Sequence, residues 1–200
     1  MAEAALALQE SPDTERFQRV AVLLVRGGTI IIRGLFDNIH PPLTLVRALK
    51  IHRATLDDLR RRRILNSDQW KKLFPSPDAY GQTKDFDLTL IFVLLRNICN
   101  LTEPANGWNN LPANISDISL EDDLARIKYH RNNTYAHTMD GQLSEDEFNE
   151  CWDEISDALL RILTFYDTPE SVRNWEKEIK KLRRGPISLK DIQAWLAGFP

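Results

Sequence analysis

Residues 85–100 constrain the fold more than any other segment, because apolar side chains occupy almost every position. These side chains are Phe86, Leu88, Leu90, Ile91, Phe92, Val93, Leu94, Leu95 and Ile98. The longest run, residues 88–95, includes Thr89 and is far shorter than the roughly 18–20 apolar residues of a membrane span. A helix that is apolar on all sides must be covered on all sides. The segment therefore predicts a central, buried helix.

The rest of the chain repeats its apolar residues with a period of about 3.6, which is typical of amphipathic helices. Helices are predicted over residues 13–39, 44–63, 69–74, 119–137, 145–166, 169–184 and 188–199. Long loops are predicted at 75–83 and 102–116, where Pro, Asn and Gly accumulate. Alternating strand patterns are absent from the sequence. The predicted fold class is therefore an all-α helical bundle.

Local signals mark the helix ends. Ser11 is placed to cap the first helix, and Ser144 with Glu147 forms the sequence pattern of a capping box. Gly27 and Gly28 interrupt the first helix. Either they break it or, because Gly28 lies on the apolar stripe, they let a neighbouring helix approach closely.

His52 shares an apolar helix face with Leu45, Leu49 and Leu56 in the predicted helix 44–63. Buried polar side chains are almost always hydrogen-bonded. We therefore expect His52 to be a hydrogen-bonded histidine of the core.

Charge is distributed unevenly along the 200 residues, although the net charge of −3 excludes a globally basic nucleic-acid binder. Residues 44–74 carry nine Lys or Arg against three Asp or Glu, whereas residues 140–157 carry eight acids and no base. The candidate RNA-binding cations in the basic segment are Arg60, Arg61, Arg62, Arg63, Lys71 and Lys72. Alternatively, they form a solvated helix end balanced by the acidic segment, within the fold or across a dimer. Aromatic residues do not alternate with these cations in sequence, so we expect no stacking platform for single strands.

The two cysteines, Cys99 and Cys151, lie in apolar helical patterns and lack zinc-ligand spacing. We expect buried free thiols, and neither a metal nor another cofactor. The short apolar stretch at residues 1–8 contains Glu3 where a signal peptide carries basic residues. These features predict an intracellular protein without a membrane span, in the cytoplasm or alternatively in the nucleus.

Arg131 stands where an apolar residue is expected. On a helical projection Leu120, Leu124 and Ile127 form a stripe, and Arg131 falls within about 20° of its centre. A guanidinium in that position must meet carbonyls, carboxylates or an anion at an interface. It is either a structural arginine paired with a carboxylate or part of a site that receives phosphate.

Asn132 follows Arg131, and His130 and His137 lie two turns apart on a flank of the same stripe. Histidine transfers protons near neutral pH, and arginine presents several donors to a phosphate. A capping or surface role for His137 is the alternative interpretation.

The segment Arg131-Asn132-Asn133-Thr134-Tyr135-Ala136-His137 fits the Arg-polar-x(3–5)-His motif of HEPN domains. Around it, Lys84-Asp85-Phe86-Asp87-Leu88-Thr89, Leu94-Leu95-Arg96-Asn97-Ile98-Cys99, Gly107-Trp108, Leu111-Pro112 and Ala125-Arg126-Ile127-Lys128-Tyr129 resemble the animal HEPN subfamily named for the DAZ-interacting zinc-finger ubiquitin ligase. The resemblance spans roughly residues 17–163. It implies a HEPN-like bundle over residues 1–166, with a helical part at 13–74 and core helices at about 85–166, and a C-terminal helical extension at 167–200.

In active HEPN families two facing domains each contribute an Arg and a His, and a ribose 2′-hydroxyl attacks the neighbouring phosphodiester without a metal. By this resemblance, Arg131, Asn132 and His137 are the candidate catalytic residues, and His130 is a further RNA contact. Arg96, Asn97 and Tyr135 are predicted to support the site. Alternatively, Arg96 and Asn97 pair with Asp85 or Asp87.

The resemblance implies a HEPN module within a larger intracellular immune- or ubiquitin-pathway protein. Such a module binds RNA, mediates dimerisation or pairing with another helical domain, or does both, with metal-independent endoribonuclease activity as a further expectation. A purely non-catalytic scaffold is the alternative. A death-fold adaptor is disfavoured because these helices are longer.

Overall fold

A computed structural model describes residues 11–136 and 141–186, with side chains through residue 134 and from 141 onward. In chain order the elements are α1 (Pro12–Val22), a π-helical turn (Leu23–Gly28), α2 (Thr29–Ile39), α3 (Pro42–Ile51), α4 (Arg53–Arg61), α5 (Ser67–Leu73), a 3₁₀ turn (Thr83–Asp85), α6 (Leu88–Ile98), α7 (Leu120–Ala136), α8 (Glu145–Thr164) and α9 (Pro169–Arg184). No strand occurs in these two ranges, which hold a lone bridge between Ser76 and Ala79. The all-α prediction is confirmed.

The helix α6 is buried, as its composition predicts. Leu90, Ile91, Leu94 and Leu95 are each 0% exposed. α6 packs against α2, while α8 packs against α7, α9, α1 and α2. These two helices form the centre of the bundle, and α7 is held by its long contact with α8.

The predicted capping signals are confirmed at the starts of the helices. The Ser11 side chain accepts a hydrogen bond from the Thr14 amide, and Ser144 and Glu147 form a complete capping box. Asn66 forms a second capping box with Gln69 at the start of α5. These short-range bonds satisfy amide groups that the first helical turn leaves without partners.

The two glycines of the first helical segment do not break it. The chain continues from α1 into α2 through the π-helical turn, so the breaking alternative is wrong. A Cβ added at Gly27 would lie 3.9 Å from the Trp175 ring, an ordinary packing distance. The tightest helix approach lies elsewhere: a Cβ at Gly34 would lie 2.6 Å from the Tyr166 hydroxyl oxygen.

Two predictions for residues 44–63 are wrong. The segment forms two helices, α3 and α4, that meet at His52, whose φ of −92° and ψ of 13° leave the α-helical region. Leu49 and Leu56 on either side stay fully buried, whereas His52 is only half-buried. The bend therefore moves the imidazole out of the core.

Both cysteines are free; Cys99 is buried and Cys151 is half-buried. Burial raises the pKa of each thiol to about 12, which keeps both protonated at neutral pH. Along the described part of the chain, no helix has the length and apolar character to cross a bilayer. The predicted helix at 188–199 lies outside the described residues.

Candidate nucleic-acid interface

Arg131 projects from α7 onto the start of α6. Its Nη2 donates a hydrogen bond to the Thr89 Oγ1 at 2.7 Å, and the side chain is half-buried. Thr89 lies two residues after Asp87, which caps α6 by accepting a hydrogen bond from the Leu90 amide at 2.8 Å. Arg131 therefore stands at the positively polarised end of a buried helix.

Asp87 connects Arg131 to the basic segment of the sequence. Lys72 Nζ lies 2.8 Å from its Oδ2. Burial raises the pKa of the Asp87 carboxyl, but hydrogen bonds from Lys72 and Leu90 and the charges of Lys72 and Arg131 outweigh it, so this pKa lies below its usual value. Lys72 and Arg131, which were predicted separately from the sequence, therefore both act on the Asp87 carboxylate.

Two further cations lie beside Arg131. Lys128, one turn earlier on α7, has its pKa lowered to about 8 by burial and by the positive charges of Arg96 and Arg131. Its ammonium donates to the Asn109 Oδ1. The guanidinium of Arg96 lies 5.6 Å from the centre of the buried Trp108 ring.

The α6 residues that are not fully buried share one face of the helix. Thr89, Val93 and Arg96 are half-buried and Asn97 is exposed, whereas the other α6 residues are buried. At about 100° per residue these four positions fall within about 100° of one another. We call Thr89, Arg96, Lys128 and Arg131 the cationic strip: α6 supplies Thr89 and Arg96, and α7 supplies Lys128 and Arg131.

The predicted supporting residues occupy different places. Arg96 lies at the opposite end of α6 from Asp85 and Asp87, beside Trp108 and within electrostatic reach of Glu103. Asn97 donates to the Val93 carbonyl of its own helix at 2.7 Å. The alternative pairing of both residues with the aspartates is therefore not observed.

His130 faces away from the cationic strip. It is 9% exposed, and its Nε2 donates to the Glu154 Oε2 at 2.6 Å. This hydrogen bond is the largest cause of the lowered pKa of Glu154. The two residues line a cavity of about 240 Å³, and Glu147 and Glu150 line the same cavity. An RNA contact by His130 stays a prediction, and the observed hydrogen bond to Glu154 gives it a structural role.

The other motif residues are only partly described. Asn132 is exposed on α7 beside Arg131. His137 and the side chain of Tyr135 lie outside the described residues, so their predicted roles stay predictions.

The basic segment is an exposed surface with local ion pairs. Arg61 and Arg62 lie 3.2 and 3.7 Å from Asp58, and Lys71 lies 3.6 Å from Asp68. The acidic segment instead contributes bonds such as that between Asp153 and Arg183 and that between Glu154 and His130. The balance of the two segments against each other within the fold is not observed in the described residues.

Cations and aromatic rings meet on this surface although they do not alternate in sequence. The guanidinium of Arg53 lies 3.9 Å from the Phe74 ring centre and 4.7 Å from that of Trp70, and Arg60 also lies 4.7 Å from Trp70. Lys50 lies 5.3 Å from the Tyr80 ring. The contacts join residues that are distant in sequence, so no sequence alternation reveals them.

A sequence model described as "DZIP3/hRUL138-like HEPN" matches residues 42–191. The chain belongs to this HEPN family. The match includes α6, α7 and α8 and therefore every described member of the cationic strip.

Two curated proteins are similar to this chain. The human E3 ubiquitin-protein ligase DZIP3 is 29% identical over 178 residues, and the mouse protein of the same name is 29% identical over 164 residues. The alignments cover 88% and 80% of this chain but only 14% of each ligase. The chain thus spans about one seventh of the length of these relatives. No solved structure matches it.

Sequence reasoning missed Lys128 and Thr89 as members of the cationic strip, and Asn109 as the partner of Lys128. Lys128 precedes Arg131 by three residues and therefore lies on the same helical face, a signal that was present in the sequence. Asn109 and Thr89 carry no such signal, because their contacts bridge 19 and 42 residues.

Proposed function

We propose that this chain is an RNA-binding HEPN module of a ubiquitin-pathway protein and that Arg131 holds a phosphate of the RNA backbone. The family match and the similarity to two ubiquitin ligases support the protein context. The cationic strip supports the ligand, since polyanionic RNA backbones are bound chiefly by clustered Lys and Arg.

The observation that carries the proposal is the environment of Lys128. Burial and the positive fields of Arg96 and Arg131 lower the pKa of this lysine to about 8. Three cations held together at that electrostatic cost gain stability when a phosphate enters, because the anion offsets their mutual repulsion.

Fluorescence anisotropy with a labelled single-stranded RNA of mixed sequence tests the proposal. We expect Arg131→Met to weaken binding about 10- to 100-fold, as expected for lost charge-assisted hydrogen bonds. The slope of log affinity against log salt should fall by about one. Arg173→Met, an exposed arginine of α9, removes the same charge elsewhere and serves as the matched control.

Thermal melts of both variants separate lost binding from lost folding, because Arg131 also bonds Thr89. Binding that is absent in the wild type, or unchanged in a folded Arg131→Met protein, would refute the proposal. The Arg131→Ala/His137→Ala double variant then decides cleavage. If the wild type yields 2′,3′-cyclic phosphate ends and the variant does not, the module is also a ribonuclease; equal decay removes that activity.

A second candidate function is homodimerisation through α3. Its outward face exposes Leu43 and Ile51, which are 97% and 65% exposed, together with the cations Arg47 and Lys50. A second copy offers the complementary acidic surface at the start of α8, where Glu145 and Asp146 are exposed. Light scattering should show a dimer that Leu43→Glu dissociates and Arg173→Met does not; a monomeric wild type at high micromolar concentration excludes it.

A further inference from the structure

We infer that Arg96, Lys128 and Asn109 form a second phosphate subsite next to Arg131, so that two consecutive phosphates of one RNA strand lie along the uncovered face of α6. The inference rests on the proposed function. It adds that the bound RNA segment contains at least two phosphates and runs along the α6 axis. The strand follows α6 from Thr89 toward Arg96.

The spacing of the cationic strip separates two subsites. The Arg131 guanidinium is fixed near Thr89 by a hydrogen bond of 2.7 Å. Arg96 follows Thr89 by seven residues, or about 10 Å of helix rise. Lys128 lies within the electrostatic reach of both arginines. One phosphate group cannot bridge that length, whereas neighbouring phosphates of a strand contact both ends.

Arg96 has the features of an anion-binding group rather than of a closed ion pair. Its guanidinium is oriented by the buried Trp108 ring, 5.6 Å from its centre. Within the described part of the chain, the Arg96 Nε is buried and has no hydrogen-bond partner. Burial lowers the pKa of Arg96 below its usual value even though Glu103 acts against this. A half-buried cation whose Nε is buried without a hydrogen-bond partner is costly unless an anion pairs with it.

Lys128 lies between the two subsites and is anchored from the loop before α7. Its ammonium donates to Asn109, an exposed residue adjacent to Trp108. The charged groups acting on it are Arg96 from α6 and Arg131 from α7, both positive. Glu103 in the loop acts on Arg96. A phosphate placed among these cations favours the ammonium form, so RNA binding takes up a proton where Lys128 is partly neutral.

Two short RNAs test the subsite directly by NMR titration: UpU, which has one internal phosphate, and UpUpU, which has two. We expect the wild-type chain to bind UpUpU at least tenfold more tightly than UpU. In Lys128→Met and Arg96→Met this advantage should shrink to about twofold, the statistical factor for a single subsite. Arg173→Met should keep the full advantage.

The side-chain resonances of Lys128 provide an independent readout. Without RNA, its titration midpoint should lie near the value of about 8 given by the structure. Saturating UpUpU should move the midpoint upward by at least half a unit, and UpU should move it less. Arg96→Gln, which also removes the charge but keeps a polar side chain beside Trp108, replaces Arg96→Met if that variant unfolds.

The possible results separate the inference from the proposed function. If the wild type binds neither RNA, nor the longer mixed-sequence RNA, the proposed function fails and the inference fails with it. If Arg131→Met abolishes RNA binding while Lys128→Met and Arg96→Met retain the UpUpU advantage, the proposed function stands and the second subsite is wrong. An unmoved Lys128 midpoint also overturns the inference.

Discussion

Arg161 and Asp123 form a two-pronged ion pair across the interface of α7 and α8. The Nε and Nη2 of Arg161 lie 2.8 and 2.7 Å from the two carboxylate oxygens, and the Asp123 side chain is fully buried. Arg126 adds a third contact to the same carboxylate at 2.9 Å. The hydrogen bond that Arg161 donates to the Asp123 side chain is the largest cause of the raised pKa of Arg161. This cluster fixes the orientation of α7, and with it the position of Arg131.

Asp123→Asn should therefore lower the free energy of unfolding by about 3–5 kcal/mol, because two guanidiniums then lack their shared anion. Urea unfolding followed by circular dichroism measures the change. Asp153→Asn is the matched control: its partner Arg183 lies 2.6 Å away, but Asp153 is 62% exposed, so the loss should stay below about 1 kcal/mol. Equal losses in the two variants would contradict the role given to Asp123.

The Asp123 cluster and the capping boxes show what the sequence of this chain reveals. Ser144 with Glu147 is recognised because both partners lie within three residues. Asp123 has the sequence appearance of an ordinary acid at a helix start, where the helix dipole favours it. Its burial depends on Arg161, which lies 38 residues away. Long-range pairing of this kind is not encoded in any local pattern.

Gly34→Ala should destabilise the chain by about 1–3 kcal/mol, the usual range for overpacking a core. The new methyl group would lie 2.6–2.9 Å from Tyr166, whose hydroxyl donates to the Ile31 carbonyl at 2.8 Å. Gly28→Ala is the control, since its Cβ meets nothing closer than 4.0 Å. That change should raise stability by about 0.5–1 kcal/mol, as expected for a helical glycine. Thermal unfolding of both proteins gives the comparison, and a neutral Gly34→Ala would show that Tyr166 yields at no cost.

Glu154→Gln should reduce the loss of stability in acid. The hydrogen bond from His130 is the largest cause that lowers the pKa of Glu154 below its usual 4.5. A lowered pKa contributes stability that is present above the unfolded value and is lost as pH falls through the folded value, so the window lies below about 4.5. At neutral pH the variant should be less stable by a few tenths to about 1 kcal/mol, since the pair is partly exposed.

Unfolding free energies of wild type and Glu154→Gln between pH 3 and pH 7, about the range in which carboxylates titrate, check this expectation. The two curves should converge at the acid end. Glu150→Gln removes an exposed carboxylate of the same helix and should leave the acid slope nearly unchanged. Parallel curves for wild type and Glu154→Gln would exclude the hydrogen bond between His130 and Glu154 as a source of pH dependence.

Arg63→Gly should stabilise the chain by about 0.5–1 kcal/mol. Arg63 has a φ of 61°, a left-handed conformation that costs a residue with a Cβ about 1–2 kcal/mol. It ends α4 with the Ile64 amide donating to the Leu59 carbonyl at 2.9 Å, an arrangement that favours glycine at this position. Arg62→Gly, at a φ of −77°, should instead destabilise. Urea midpoints of the two variants should shift in opposite directions.

The candidate site was predictable only in part, because several of its contacts join residues of different helices. Arg131 is recognised from its place on an apolar stripe and from the motif around it. Its bond to Thr89 and the bond of Lys72 to Asp87 depend on how the helices meet. The prediction of His52 as a core residue failed because the period of the apolar residues does not reveal that the helix axis changes direction between α3 and α4.

The π-helical turn at Leu23–Gly28 acts as a one-residue spacer in the register of the first helical segment. An inserted residue turns everything that follows by about 100° about the helix axis. The faces of α1 and α2 are therefore set independently: Phe17 and Ala21 lie in the core before the turn, and Ile31 and Leu35 lie there after it. Removing one residue from the turn would rotate the whole of α2 about its axis. Gly34 would then no longer face Tyr166. A one-residue deletion in this turn should accordingly destabilise the chain, because it would rotate every buried side chain of α2 relative to those of α1.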